Sequence, residues 1–483
     1  MWNDLIRVVG GRVVVAISSL FVVRVLTIQM SPEQIGVVAI VTTIISFFSM
    51  FMINPVSAYY NRRFFSLRDS GFAFRFLNYL GIYIAVIALL AACITYTTSK
   101  IMGENWGVEL VLLVILVGLG VFLTNASQIL AYFVNMLKKR TEWLISVLIT
   151  IWVGLFFAWI ATEYSPSAFF WIGGQFIGMF AGSIFAYYFF YTDVKVICSD
   201  NIKYQINFSI IKKMLIFSGP LALAIGLHWI QFQSYRFIIE DMFSLEMLGF
   251  FMVGYTLSSG IMGAFESALS QLYHPSFFKM LGEKPVNNSS NGPSHIARVW
   301  ADYSQHLITL TIFSSIFLII ISKPLFIIFM TEQYFPAWKY FLLGCIVELF
   351  RIIGGIYGLG VHASMETRYI LVPYILGSIA IIGGLIIMIS VYGEAGIFYG
   401  LIVSGILFVG VFHLVICRHM DIKIRLQHFP QILQFIIIAI SMLLIFNLLI
   451  DDKTYMVIFI VLASILYFSY STIVIKKSKA LLS

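Results

Sequence analysis

Ionisable side chains inside long apolar runs are the residues of this sequence that could do chemistry. Glu348 and Arg351 lie one helical turn apart, near the centre of the apolar run 337–362. A charge at mid-bilayer costs about 2.5–3.5 kcal/mol or more, so such residues mark a function or a pairing. In one interpretation they line a polar cavity, where Arg351 binds an anionic group and Glu348 neutralises or releases it by taking a proton. In the other, they are a self-neutralising pair that fixes helix packing.

Other polar residues extend this pattern. Glu266 is alone in its apolar run, which leaves two roles open, a pairing with Arg12 or a coupling-ion site. Asn125 and Gln128 occupy a roughly corresponding depth in the first half of the chain, as expected for a cavity shared by both halves. His228 can titrate near neutral pH or serve as a hydrogen-bonded packing residue.

Three further arginines are candidates for holding a phosphate or pyrophosphate, because a guanidinium binds such groups bidentately. Arg12 and Arg24 lie in the first apolar run, and Arg236 lies in the seventh. The alternative for Arg24 and Arg236 is a long side chain that snorkels to the membrane interface, with Arg236 paired to Glu240. Arg12 lies closer to the predicted midplane than the other two.

The sequence carries no signature of a soluble enzyme. It lacks a glycine-rich phosphate loop, a nucleophile elbow, and any spacing of His, Cys, Asp or Glu typical of a metal site. The predicted outward connections are short, whereas enzymes that assemble glycans in a bacterial inner membrane usually need a large outward loop or domain. We therefore expect a protein that is not an enzyme and that needs no cofactor or metal.

The elements that carry these residues are predicted to be membrane helices. Hydrophobic residues make up 60% of the 483 residues and charged residues 11%, with a mean hydropathy of +0.97. Soluble proteins contain roughly 25% charged residues. The apolar runs reach the length of about 20 residues that a membrane helix needs. There are fourteen of them: 5–29, 35–58, 76–98, 108–136, 143–162, 167–190, 214–240, 247–272, 303–322, 337–362, 369–391, 396–417, 431–450 and 454–475.

Basic residues favour every second connection, which predicts the topology. The connections after the even-numbered runs and the C-terminal tail are rich in Lys and Arg, whereas the alternate connections contain only Lys100, Lys323, Lys339 and Lys453. This alternation predicts a multi-pass protein of a bacterial inner membrane with both termini in the cytoplasm. The net charge of +8 follows from this topology and gives no reason to expect nucleic acid as a partner.

An internal repeat predicts two lobes with parallel orientation. From Gly36 and Gly249 the register holds without gaps: Ser57 matches Ser270, Tyr60 matches Tyr273, and Phe64 matches Phe277. We predict an N-terminal lobe of six helices at 1–195, a C-terminal lobe of six helices at 196–420, and two additional helices at 421–483.

This layout resembles the polysaccharide biosynthesis flippases, the O-antigen translocase group of the multidrug/oligosaccharidyl-lipid/polysaccharide superfamily. The resemblance covers essentially the whole chain and rests on loose motifs. These are the stretch from Arg24 to Gly36, Ser244 to Phe251, Gly393-Glu394-Ala395-Gly396, and the connection from Lys323-Pro324-Leu325 to Tyr334-Phe335-Pro336-Ala337. One departure is Ile53-Asn54-Pro55-Val56, where the family often carries small residues, and it leaves the bending of the second helix open.

The resemblance implies a function. The substrate would be an undecaprenyl-pyrophosphate-linked oligosaccharide, an O-antigen or capsule repeat unit, carried from the cytoplasmic to the periplasmic leaflet by alternating access. Arg12, Arg24, Arg351 and Arg236 are the candidates to contact pyrophosphate, and Glu348 or Glu266 to couple transport to H⁺ or Na⁺. A complex of glycan polymerase and chain-length regulator is an expected partner.

Three alternatives stay open. A drug or metabolite antiporter of the same superfamily usually has twelve helices and an acidic residue in the first helix, where this chain has arginines. A lipid II flippase shares the fourteen-helix plan. From a different class, a glycan-assembly enzyme is disfavoured by the short outward connections, and a non-transporting scaffold by the cost of the intramembrane charges.

Overall fold

The computed structural model describes residues 2–103, 106, 108–195, 208–282, 295–363, 367–420, 428–449 and 453–477. At a number of helical positions, Arg12 among them, only the backbone is described. The regular structure of these residues is helical throughout. The α-helices are α1 (Trp2–Gln29), α2 (Pro32–Phe48), α3 (Asn54–Asp69), α4 (Ala73–Met102), α5 (Leu110–Met136), α6 (Arg140–Tyr164), α7 (Ala168–Lys195), α8 (Phe208–Gln233), α9 (Tyr235–Met242), α10 (Leu245–Gly282), α11 (His295–Phe329), α12 (Trp338–Ala363), α13 (Leu371–Tyr392), α14 (Ala395–Met420), α15 (Phe429–Leu449) and α16 (Lys453–Lys477).

The described helices include twelve segments that are long and apolar enough to cross a membrane. Two shorter apolar helices, Val14–Gln29 and Phe429–Leu444, bring the number of apolar helices to fourteen. Many of their outward side chains are large and apolar, for example Leu89 and Ile387, as expected where a helix faces lipid. The prediction of an all-α, multi-pass membrane protein is confirmed.

Contacts between residues divide the chain into two compact units, Met1–Gly249 and Phe250–Ser483. In the first unit, α6 packs along α7, while α5 packs against α2, α4 and α7. Small residues allow the close approach of α6 and α7: a Cβ on Gly178 would stand 2.3 Å from the carbonyl oxygen of Thr150. In the described part of this unit, the predicted seventh run consists of α8 and α9, which are separated at Ser234.

In the second unit, most side chains of α11 are buried. Helices α12, α15 and α16 all pack against α11, and α14 packs against α12 and α13. The additional C-terminal helices are thus joined to the unit through α11. The hydroxyls of Ser314 and Tyr467 are 3.0 Å apart, and the rings of Phe313 and Phe435 have centroids 4.8 Å apart. The lobe boundaries at 195 and 420 stay a prediction.

The internal repeat is visible in the lengths of two helical segments. The segment Pro32–Asp69 and the helix α10 each contain 38 residues, and each begins four residues before its matched glycine. Their first turns touch in a reciprocal way. A Cβ on Gly36 would stand 2.0 Å from the carbonyl oxygen of Leu245, and one on Gly249 would stand 1.8 Å from that of Pro32. Only glycine permits this approach of the two backbones.

The segment Pro32–Asp69 differs from α10 at one point, a π-helical turn at Ser49–Ile53 between α2 and α3. Pro55 lies two residues after this turn, and because proline has no N–H, the normal helical ladder cannot continue through it. The wider π turn accommodates this break. The hydroxyl of Tyr83 donates to the carbonyl of Met52 at 2.9 Å and the hydroxyl of Ser218 to that of Pro55 at 3.1 Å.

Side chains from connections predicted to lie on the same face of the membrane meet in the structure. Lys139 forms an ion pair with Asp193 at 2.6 Å at the end of α7. Lys339 pairs with Glu394 near the end predicted to be outward. These contacts agree with the alternation of the connections. Which face is cytoplasmic stays a prediction.

Candidate functional site

Three helices of the second unit bring polar side chains together among apolar ones. Glu266 comes from α10, Tyr303 from α11, and Glu348 and Arg351 from α12. Glu348 and Arg351 are three positions apart, which places them on one face of α12. The surrounding positions are apolar because they pack between helices or face lipid.

Arg351 lies between two carboxylates. Its Nη2 donates to Oε2 of Glu266 at 2.6 Å, and its Nε donates to Oε2 of Glu348 at 2.7 Å. The hydroxyl of Tyr255 donates to the other oxygen of Glu348 at 2.6 Å. The structure therefore unites three predicted site residues in one network. The described partner of Glu266 is Arg351, while the side chain of Arg12 lies outside the described residues.

The network holds more negative than positive charge when all three groups are ionised. Arg351 is the basic partner of both carboxylates among the residues that the structure describes. Removing two carboxylates and one guanidinium from water is costly, and the excess charge adds to that cost. The arrangement suits the uptake of a proton or another cation. Alternatively, Arg351 can hold an anion when one carboxylate is neutral.

A cavity of about 130 Å³ lies beside Glu266. Its polar lining comes from α10 and α11, and residues of α12 close one side. Gly355 of α12 leaves room near the carboxylate, because a Cβ there would stand 4.0 Å from Oε1 of Glu266. The polar lining residues are Glu266, Ser270, His274, Tyr303 and Thr311.

The first unit contains a second polar cluster, along α2. Arg236 of α9 is only 8% exposed, and its Nη1 donates to Oγ1 of Thr43 at 3.0 Å. Trp229 of α8 donates from Nε1 to Oγ of Ser46 at 2.8 Å. One turn later, Ser49 continues the row of hydroxyls. The guanidinium of Arg236 is therefore buried against α2.

The remaining predicted residues of the first unit are spread over three helices. Asn125 of α5 is buried and donates from Nδ2 to Oγ of Ser49 at 2.8 Å, whereas Gln128, one turn later, is exposed. His228 of α8 packs against the ring of Phe232. Arg24 is half-buried in α1. Arg12 lies in the same helix, and its side chain is outside the described part.

Sequence reasoning missed several members of both clusters. The row of Thr43, Ser46 and Ser49 has a signal, namely hydroxyls at steps of three within an apolar run. Tyr255 and Tyr303 have none, because tyrosines are common in the apolar runs of this chain. Their roles appear only when α10, α11 and α12 are assembled.

Comparison with solved structures finds proteins with a similar fold. The chain is similar to the lipid II flippase MurJ in its inward closed conformation, with a TM-score of 0.66 and 16% identity over 98% of this chain and 99% of that one. It is also similar to an inward-facing multidrug resistance MATE transporter of the MOP superfamily (TM-score 0.59, 12% identity, 86% and 99% covered). The eukaryotic MATE transporter AtDTX14 has a TM-score of 0.55 at 13% identity, with 86% and 94% covered. The TM-scores establish a shared fold, and at these low identities they show the fold alone.

A search of curated protein sequences gives no match. The model of one protein family, described as "polysaccharide biosynthesis protein", matches residues 25–339. This match covers more than half of the chain and includes Arg236 and Glu266. The chain therefore belongs to the polysaccharide biosynthesis protein family.

Proposed function

We propose that this protein is a flippase for an undecaprenyl-pyrophosphate-linked oligosaccharide. It carries the lipid-linked repeat unit from the cytoplasmic to the periplasmic leaflet of a bacterial inner membrane by alternating access. Family membership and the transporter-type fold support this class of function. The observation that carries the proposal is a guanidinium held between two carboxylates within membrane helices.

The cost of this network is the reason to assign it a function. A helix bundle gains little from two carboxylates and one guanidinium that apolar side chains of similar size could replace. Arg351 has the geometry to bind a phosphate group. Glu266 and Glu348 can exchange a proton or sodium ion, which would couple transport to an ion gradient. Arg12, Arg24 and Arg236 remain candidates for further contacts with the pyrophosphate.

A lipid II flippase is the second candidate, favoured by one observation. The similarity to MurJ extends over 98% of the chain and thus includes the additional C-terminal helices. A lipid II flippase would act on an undecaprenyl-linked substrate as well, but its loss would stop cell-wall synthesis. The two candidates therefore differ in the lipid that accumulates and in the viability of the deletion strain.

Lipid analysis of a deletion strain tests the proposal. The gene is deleted or depleted, undecaprenyl-linked lipids are extracted, and the accumulated species is identified by mass. A complete lipid-linked repeat unit in viable cells without surface glycan is the expected result. Accumulated lipid II in dying cells would favour the second candidate. Normal glycan with no accumulated lipid would refute both candidates and favour export of a small molecule.

A further inference from the structure

The two carboxylates that flank Arg351 have different surroundings. Glu348 is 3% exposed, and both of its oxygens accept hydrogen bonds, one from Tyr255 and one from Arg351. The side chain of Glu266 is 33% exposed, and within the described residues its single hydrogen bond is the one from Arg351 to Oε2. Protonation of Glu348 would disturb two charge-assisted hydrogen bonds, whereas Glu266 has one oxygen at its disposal.

Oε1, the oxygen of Glu266 that Arg351 does not contact, would lie 4.0 Å from a Cβ on Gly355, and both residues line the cavity beside α10. The lining reaches from Glu266 to His274, a distance of about 12 Å along the helix at roughly 1.5 Å per residue. A volume of about 130 Å³ exceeds the roughly 10–15 Å³ that one water needs. Ser270 and Thr311 offer hydrogen-bond partners to such water. The cavity can therefore hold water that exchanges protons with Glu266.

The charges around Glu266 favour uptake of one proton. Among the described residues, the ionisable groups that face it are Arg351 from α12, with Glu348 behind it, Tyr303 from α11 and His274 from α10 itself. With both glutamates ionised, the network carries one excess negative charge in apolar surroundings. One proton removes this excess, and the proton belongs to the coupled pair of carboxylates. The difference in hydrogen bonding places it on Glu266.

Protonation also changes what Arg351 can bind. A guanidinium has five N–H donors, and in the structure Nη2 is engaged by Glu266 and Nε by Glu348. A neutral Glu266 binds Nη2 less strongly, so a phosphate can displace it from that edge of Arg351. By linkage, binding of an anion at this edge favours protonation of Glu266 to the same extent.

We propose that Glu266 is the residue at which this protein exchanges a proton, through the cavity beside it, and that the proton frees one edge of Arg351 for an anionic group. The second half rests on the proposed function, with the pyrophosphate of the substrate as the anion. The proton would strengthen binding of the substrate anion, and loss of the proton would return Glu266 to Arg351.

Infrared difference spectroscopy of the purified protein tests the proton site without any transport measurement. The carboxylic acid C=O band is followed across a pH titration. The wild type should show a titrating band that Glu266→Gln removes, and Tyr255→Phe should leave the frequency of that band unchanged, because Tyr255 contacts Glu348. A band that survives in Glu266→Gln, or one whose frequency shifts in Tyr255→Phe, would overturn the assignment, as would the absence of any titrating band.

A second variant tests the route of the proton. Ser270→Leu fills the cavity but leaves both carboxylates in place, so hydrogen–deuterium exchange of the protonated carboxyl should become severalfold slower. Gly260→Leu is the matched control on the same helix, because nothing lies within 4 Å of a Cβ at that position. Equal exchange rates in Ser270→Leu and the wild type would exclude this cavity as the route.

Inorganic pyrophosphate is the probe for the second half. At fixed pH it should increase the carboxylic acid band of the wild type and leave that of Arg351→Gln unchanged. A wild-type band that titrates normally but does not respond to pyrophosphate would refute the link between proton and anion. The lipid analysis of the deletion strain then decides the proposed function independently.

Discussion

Nη2 of Arg351 lies 2.6 Å from Oε2 of Glu266, although the two residues are 85 positions apart in the sequence. The contact joins α12 to α10, and the bond from Nε to Glu348 keeps the guanidinium at the face of its own helix. The planar fork of an arginine can serve both carboxylates at once, whereas the single ammonium of a lysine cannot take the same geometry.

Substitution of Arg351 should therefore impair export even when the charge is kept. At equal protein levels, we expect Arg351→Ala to abolish export of the surface glycan. Arg351→Lys should reduce it at least about tenfold, since a hydrogen bond to a charged group is worth about 1.5–3 kcal/mol. The measurement is surface glycan, together with accumulated lipid-linked repeat unit, in a complemented deletion strain. Wild-type export in Arg351→Ala would remove this residue from the site.

Loss of the Tyr255 hydroxyl should destabilise the protein. Its hydrogen bond serves a buried carboxylate oxygen of Glu348, and Tyr255→Phe would leave that oxygen without its donor. The expected loss is about 1–3 kcal/mol of unfolding free energy. Thermal unfolding of the purified protein measures it, with Tyr164→Phe as a control because Tyr164 is 87% exposed. Equal unfolding temperatures of the two variants would contradict the expectation.

Alanine at either matched glycine should be poorly tolerated. Gly36→Ala and Gly249→Ala each drive a methyl group into a backbone carbonyl. Without any shift, the new Cβ would lie 2.0 Å from the carbonyl oxygen in the first variant and 1.8 Å in the second. Backbone must shift in both, at a cost of about 1–3 kcal/mol, the usual range for overpacking. Gly81→Ala is the control, because nothing lies within 4 Å of its Cβ position. Comparable unfolding temperatures in all three variants would show that the first turns of α2 and α10 separate easily.

The ion pair of Glu394 predicts a pH dependence of stability. Partial burial alone would raise the pKa of Glu394, but the hydrogen bonds from Lys339 and Tyr340 and the charge of Lys339 together lower it below its ordinary value of 4.5. A carboxylate whose pKa is lowered in the folded protein adds stability at pH values above its ordinary pKa. This stability is lost as the pH falls through the lowered pKa of the folded protein.

The comparison is therefore between wild type and Glu394→Gln at neutral pH and at a pH below 4.5. At neutral pH, the wild type should unfold at a higher temperature than Glu394→Gln. The difference in unfolding free energy should be less than about 1 kcal/mol, because the carboxylate is 40% exposed. The difference should shrink in acid. Glu246→Gln serves as an exposed control, and a difference that grows on acidification would reverse the sign of the argument.

The sequence predicts the helices of this protein well because the bilayer demands long apolar runs. It predicts their ends less well where a helix leaves the apolar region. The run predicted at 35–58 continues to Asp69 through a stretch that contains Tyr59, Arg62 and Arg63. That part of α3 buries Tyr59 and keeps both arginines exposed, so it contains no apolar run that would predict a helix.

The candidate site is predictable from the sequence only in part. Glu348 and Arg351 can be linked because residues three apart share a helix face. The third member, Glu266, belongs to another helix, and no local pattern indicates that α10 brings it to Arg351 rather than elsewhere. The inequality of the two carboxylates depends on Tyr255 and on the cavity, which exist only in the assembled unit.

The reciprocal contact of Gly36 with Leu245 and of Gly249 with Pro32 has a consequence for the origin of the chain. If each half once existed as a separate polypeptide, the same two positions would have formed an isologous interface of a homodimer, where every substitution acts twice. After gene fusion each copy mutates alone. Pro55 and its π turn in one copy, against an unbroken α10 in the other, are the kind of asymmetry that only the fused chain can acquire.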